Sequence, residues 1–169
     1  PYTTLFRSIG EIGEFADAVK KNAIYLKPLD RVNLLEEGGD TFWYTGNLHP
    51  EVLVPQTQLQ AAFDLGYAQG TAQAGQGIFE GGLLVIEVMA QASTAMCNLI
   101  SGPQNMADPL DYDKAATNVI IIYKSLGRLY GAFSLDLLQS LEVNIAKLAK
   151  RYGDKFSEHA ALNRDLDGE

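Results

Sequence analysis

The sequence predicts an all-α fold, a helical bundle in a single domain. Three observations predict it. Apolar residues recur at 3.6-residue spacing over several long stretches. Helix-ending residues, Pro28 and the Gly102-Pro103 pair among them, separate those stretches. Period-two alternation is confined to Val119 to Tyr123, so no sheet is expected. The chain has 169 residues, 47% hydrophobic and 20% charged. One domain of that size buries roughly 70% of its unfolded surface.

The first eight residues, Pro1-Tyr2-Thr3-Thr4-Leu5-Phe6-Arg7-Ser8, resemble an in-frame translation of a sequencing adapter. They carry neither an initiating Met nor a signal-peptide hydrophobic region, and are expected to be a non-native leader. The domain is therefore assigned to residues 9–169. Ile9 to Ala23 reads as the first helix, with Ile12, Phe15, Ala16, Val19 and Ala23 on one stripe. Pro28 ends any continuation, and Asp30 can cap a second helix from Arg31 to about Tyr44. Gly46 to Gly82 holds seven glycines, which predicts loops around a short helix near Gln56 to Tyr67. Leu83 to Ile100 is apolar nearly all round and predicts a buried or interfacial helix. Gln104 to Asp113 reads as a loop. Lys114 to about Tyr130 reads as a helix broken by Gly131. Ser134 is the expected cap of a last helix ending at Tyr152, with Gly153 as its stop.

Charge narrows the function classes. Thirteen Lys and Arg against 21 Asp and Glu give a net charge of −8. Nucleic acid is a poor partner for such a chain. No Lys or Arg occurs from Val32 to Asp113, whereas ten acids do; five basic residues precede that stretch and eight follow it. The middle therefore reads as an insertion, at about residues 45–118, with its own packing. The basic flanks read as the parts that meet an anion. Cys97 is the single cysteine, which excludes a disulfide framework within one chain. Glu87, Gln91 and Asn98 interrupt the most apolar run, so no membrane span is expected. With no targeting signal, a cytoplasmic location is expected. Gly75 to Gly82 is preceded by no strand and followed by no Gly-Lys-Ser/Thr, so it reads as a linker rather than a phosphate loop.

The chemistry-bearing pattern is acidic. Glu11 and Glu14 are three apart, and so are Glu37 and Asp40. On helices each pair projects from one face, where like charges repel by a few tenths of a kcal/mol. A hard dication removes that penalty, and Mg²⁺ shares oxygen ligands between carboxylates and substrate phosphates. Lys21, two turns beyond Glu14, falls on the acidic face. In the last helix Leu137, Leu141, Ile145, Leu148 and Tyr152 form an apolar stripe. Asn144, Lys147 and Arg151 form a polar one, able to grip phosphate or ribose.

Glu11-Ile12-Gly13-Glu14, followed after 22 residues by Glu37-Gly38-Gly39-Asp40, resembles the paired acidic motif of the MazG-type all-α nucleoside triphosphate pyrophosphohydrolases. Asn144 to Phe156 and Ala160 to Asp165 are similar to the last helix of phage and bacterial members. The resemblance covers residues 9–44 and roughly 119–167. It implies Mg²⁺ held by Glu11, Glu14, Glu37 and Asp40, with Glu14 and Glu37 as the catalytic carboxylates. It implies triphosphate bound by Lys21, Asn144, Lys147 and Arg151, and products nucleoside monophosphate and pyrophosphate. It also implies a homodimer or homotetramer. Two features depart from the family. Gly38 stands where members carry a bulky apolar residue, so either close helix packing or a loosened helix is expected there. The insertion of some seventy residues is the other, and Pro109-Leu110-Asp111 within it echoes Pro28-Leu29-Asp30. A second reading is a non-catalytic helical interaction module descended from such an enzyme. A di-iron bundle is excluded, because neither His49 nor His159 follows a glutamate by three residues.

Overall fold

The computed structural model describes residues 2–46, 54–74, 86–87, 89–91, 93–95, 98 and 112–152, and all side chains among them except those of residues 2–6, 112, 115, 151 and 152. The fold is all-α. Among the described residues, five helices with continuous bounds run in the order α1 (Tyr2–Ala23), α2 (Arg31–Gly46), α3 (Gln56–Gln73), α4 (Tyr112–Phe133) and α5 (Leu137–Tyr152). The described residues between 86 and 98 are helical too. The expectations for Gly75 to Gly82, Cys97, Gln104 to Asp111, His49, His159, Gly153 and the segment beyond it lie outside the described residues. So does the Pro109-Leu110-Asp111 echo.

The seven-residue connector after Ala23 folds α2 back along α1. Asp30 caps α2 as expected, its carboxylate accepting from the Asn33 amide at 3.1 Å. The first helix begins earlier than its apolar stripe suggested. It already includes residues 2–8 of the stretch read as a leader: Ser8 is fully buried, and the Arg7 guanidinium donates to the Tyr44 hydroxyl at 3.2 Å.

The core is shared by all the helices. Ile12, Phe15 and Val19 of α1 meet Leu34, Leu35 and Phe42 of α2, and Ile122, Leu126, Leu129 and Tyr130 of α4. Burying each such large side chain stabilises by about 1.5–3 kcal/mol. Phe42 is the hub, edge-on to Phe63, Tyr123 and Tyr130 with ring centroids 5.4–5.7 Å apart. Phe63 belongs to α3, so the insertion's first helix is part of the common core rather than a separately packed unit. That helix runs to Gln73, six residues beyond the expected end.

Close packing explains the length of α3 and α4. A methyl on Gly66, Gly70, Gly127 or Gly131 would overlap a backbone oxygen of the facing helix. Gly131 therefore does not break α4, which continues to Phe133. It is there because only hydrogen fits between it and Tyr67. The end of α4 is a Schellman turn: Ser134 adopts φ 51°, and the Leu135 amide reaches the Tyr130 carbonyl at 2.9 Å. Ser134 thus closes α4 instead of capping α5. Asp136 caps α5, accepting from the Gln139 amide at 2.8 Å. Arg31 of α2 ties the corner down, donating to the Phe133 and Ser134 carbonyls at 2.9 and 2.8 Å.

Ile86, Glu87, Ala90, Gln91, Thr94 and Asn98 are exposed, so of the two alternatives for this stretch the helix buried within the chain is not met, while the interfacial one is left untested by a single chain. One further expectation is corrected. In α5 the inward face carries Ser140 and Asn144, both fully buried, while Leu138 and Ile145 face solvent. Asn144 is inside because Asp40 of α2 gives its amide nitrogen a partner, and Ser140 because Gly39 lets the two backbones approach closely.

Candidate metal centre

Gly38 and Gly39 set the geometry of the site. A methyl at Gly38 would strike the Tyr130 hydroxyl, and one at Gly39 the Ser140 carbonyl, with the Asn144 Cβ only 3.0 Å away. Gly39 lets α2 lie directly on α5, and Gly38 leaves room for the Tyr130 hydroxyl that reaches in from α4. Close packing is therefore what these glycines provide. Their neighbours Glu37 and Asp40 are carried into the cleft between α1, α2 and α5.

Glu11, Glu37 and Asp40 each direct one carboxylate oxygen into a group whose members lie within 4.8 Å of one another. Glu37 is 9% exposed. Burial, the hydrogen bond with Glu11 and the charges of Glu14 and Glu11 push its carboxyl up to about 8, against a smaller pull from Lys147. Glu11 is also raised, by burial first and then by Asp40 and Glu14. Both shifts run upward, as crowding of carboxyls in a sheltered site requires, and the contact with Glu11 favours the protonated form of Glu37.

Asp40 is held on both oxygens. The Asn144 amide nitrogen donates to Oδ1, and the Lys147 ammonium forms an ion pair with Oδ2. Both partners of that ion pair are largely sheltered, at 13% and 17% side-chain exposure. The Asn144 Oδ1 is buried without a hydrogen-bond partner, as are the Tyr130 hydroxyl and the Ser140 Oγ nearby.

The eight site residues singled out in the sequence thus separate. Glu11, Glu37 and Asp40 come together, and Asn144 and Lys147 join them by gripping Asp40. Their polar stripe is buried against α2 rather than presented to solvent. Glu14 is exposed and stands beside the three-oxygen group without entering it. Lys21 does not reach the site. It pairs with Asp17 at 2.9 Å, while Lys20 binds the other Asp17 oxygen. These two ammonium groups hold the Asp17 carboxyl down to about 2. The i, i+4 spacing of Asp17 and Lys21 was the signal for that pairing. Arg151 lies on α5, and its side chain is outside the described ones. Tyr130 and Ser140, which pack against Gly38 and Gly39, carried no chemical signal in the sequence.

The donor set is all oxygen and anionic, and a buried acceptor in the same cleft lacks a partner. That combination fits a hard divalent cation. Among the described residues, no helix is long and apolar enough to cross a membrane. Comparison with protein-family models, with curated proteins and with solved structures finds no match for this chain.

Proposed function

We propose that the chain is a Mg²⁺-dependent nucleoside triphosphate pyrophosphohydrolase. One observation carries the reading: three carboxylates from two adjacent helices converge within 4.8 Å, with an amide and an ammonium from a third helix against them. The paired acidic motif and the α5 residues supply the substrate class by resemblance.

Glu11, Glu37 and Asp40 would hold the ion. When bound, Mg²⁺ neutralises phosphate oxygens and supplies a water of lowered pKa. The other roles belong to the chain. Lys147 is a point charge for a phosphate oxygen, and Asn144 orients Asp40. Glu14, next to the oxygen group but outside it, takes the proton from the attacking water. The water oxygen bonds to the α-phosphorus, the bridging oxygen to the β-phosphorus departs, and pyrophosphate leaves a nucleoside monophosphate. A homodimer or homotetramer belongs to the same reading.

Exposed Leu138 and Ile145, seven apart on the outer face of α5, favour a second reading, a non-catalytic interaction module. Calorimetric titration with Mg²⁺ and a non-hydrolysable triphosphate separates the two, since the module has no reason to bind either. For the enzyme, pyrophosphate release is measured across ordinary and modified nucleoside triphosphates. Glu37→Gln keeps the hydrogen bond to Glu11 and the fold, and is expected to reduce turnover at least a hundredfold. Full turnover in that variant removes Glu37 from the site.

A further inference from the structure

The acidic cluster already contains a cation, the Lys147 ammonium. It sits on Asp40 Oδ2, and its charge acts on Glu11 and Glu37 as well. Each Asp40 oxygen already has one partner: the Asn144 amide nitrogen donates to Oδ1, and the Lys147 ammonium pairs with Oδ2 on the side of the charge a metal ion would need. A lysine side chain reaches this position from α5 with only 17% of itself exposed, so it fills space as well as supplying charge. The same Asn144 amide that holds Asp40 leaves its own Oδ1 buried and unpartnered. That oxygen is an acceptor left open beside the cluster.

We infer that Lys147 is the resident counter-cation of the cluster, and that a divalent ion binds by displacing its ammonium from Asp40. The inference rests on the metal-centre reading above and adds how that centre is gated. The exchange is favourable for a dication and not for a monovalent one. Three carboxylates attract a double charge about twice as strongly as a single one at the same distance. Displacement also turns Lys147 outward on its flexible stem, where it meets an anion that accompanies the metal. The ion-free protein thereby keeps its anion-binding lysine sequestered, so metal occupancy and anion affinity rise together.

Two measurements on the full chain test this. In the first, the wild-type protein is treated briefly with an amine-acetylating reagent, with and without Mg²⁺, and the modified lysines are mapped by mass spectrometry. Exposed Lys150 is the internal control. Lys147 labelling is expected to rise at least fivefold with Mg²⁺, while Lys150 labelling stays constant. In the second, Mn²⁺ binding is titrated calorimetrically, with no nucleotide present, to wild type, Lys147→Met and Lys147→Arg. Methionine keeps the buried stem and removes the charge, and is expected to tighten Mn²⁺ binding about tenfold or more. Arginine is expected not to tighten it. Circular dichroism verifies that each variant is folded, and the labelling experiment needs no variant. If Mn²⁺ binds wild type while Lys147 labelling is unchanged, displacement is wrong and the metal centre stands. If Mn²⁺ binds neither wild type nor Lys147→Met, the metal centre and the displacement fall together.

Discussion

Glu37 gives the site its pH behaviour. Its ordinary carboxyl value of 4.5 applies to the unfolded chain, and the folded value is about 8. The folded protein therefore keeps a proton that the unfolded chain has lost over that window. The stability this contributes is fully present below about 4.5 and is lost as pH rises through 8. Thermal denaturation in a chelator is expected to show the melting temperature falling from pH 5 to pH 9. Glu37→Gln should flatten that slope, because a glutamine amide donates to Glu11 at every pH. Saturating Mg²⁺ should oppose the fall, since the ion needs both carboxylates ionised and its binding releases the proton. An equal slope in wild type and Glu37→Gln would show that the proton is not held at this pair. Asp17 runs the other way. Its value of about 2 reflects two surface ammonium groups and has no link to the site.

At the scale of helices, the site depends on how closely α2 approaches α5. Gly39→Ala puts a methyl against the Ser140 carbonyl and the Asn144 Cβ. Overpacking of this kind costs about 1–3 kcal/mol. Urea unfolding should show that loss, and Mn²⁺ affinity should fall with it because Asp40 shifts away from Asn144. Unchanged affinity would mean that the helix spacing does not set the site. The α5 cap makes a separate prediction. Asp136→Ala leaves the Gln139 amide unpaired and costs about 1 kcal/mol of stability. Ser134→Ala is expected to cost less, because the Ser134 side chain is not the cap and its positive φ is the same for alanine. Equal losses from the two would contradict the observed division of labour at this corner.

Across the whole molecule, the insertion and the acidic helices share one core. Phe63 stacks on Phe42, five residues from Glu37 and two from Asp40. Phe63→Ala is expected to cost about 3–5 kcal/mol. It should lower the melting temperature of the entire protein in one transition and weaken Mn²⁺ binding. Two separate transitions, with the acidic helices unaffected, would make the insertion an independent unit after all.

The sequence by itself determined the all-α class, the limits of α2, the cap at Asp30 and three of the clustered carboxylates. Those follow from spacing along one helix or from a side chain bonding its own next turn, and local geometry is written in local order. It could not decide whether Gly38-Gly39 and Gly131 loosen helices or join them, because a glycine's meaning depends on what faces it. It read Lys147 and Asn144 as a polar stripe for phosphate or ribose and could not show that they turn onto Asp40, for the same reason. An amide and an ammonium belong inside once Asp40 stands opposite, and that pairing links residues more than a hundred positions apart. Only the packing of α2 against α5 supplied the partner, and with it the sheltered carboxyls and the caged lysine.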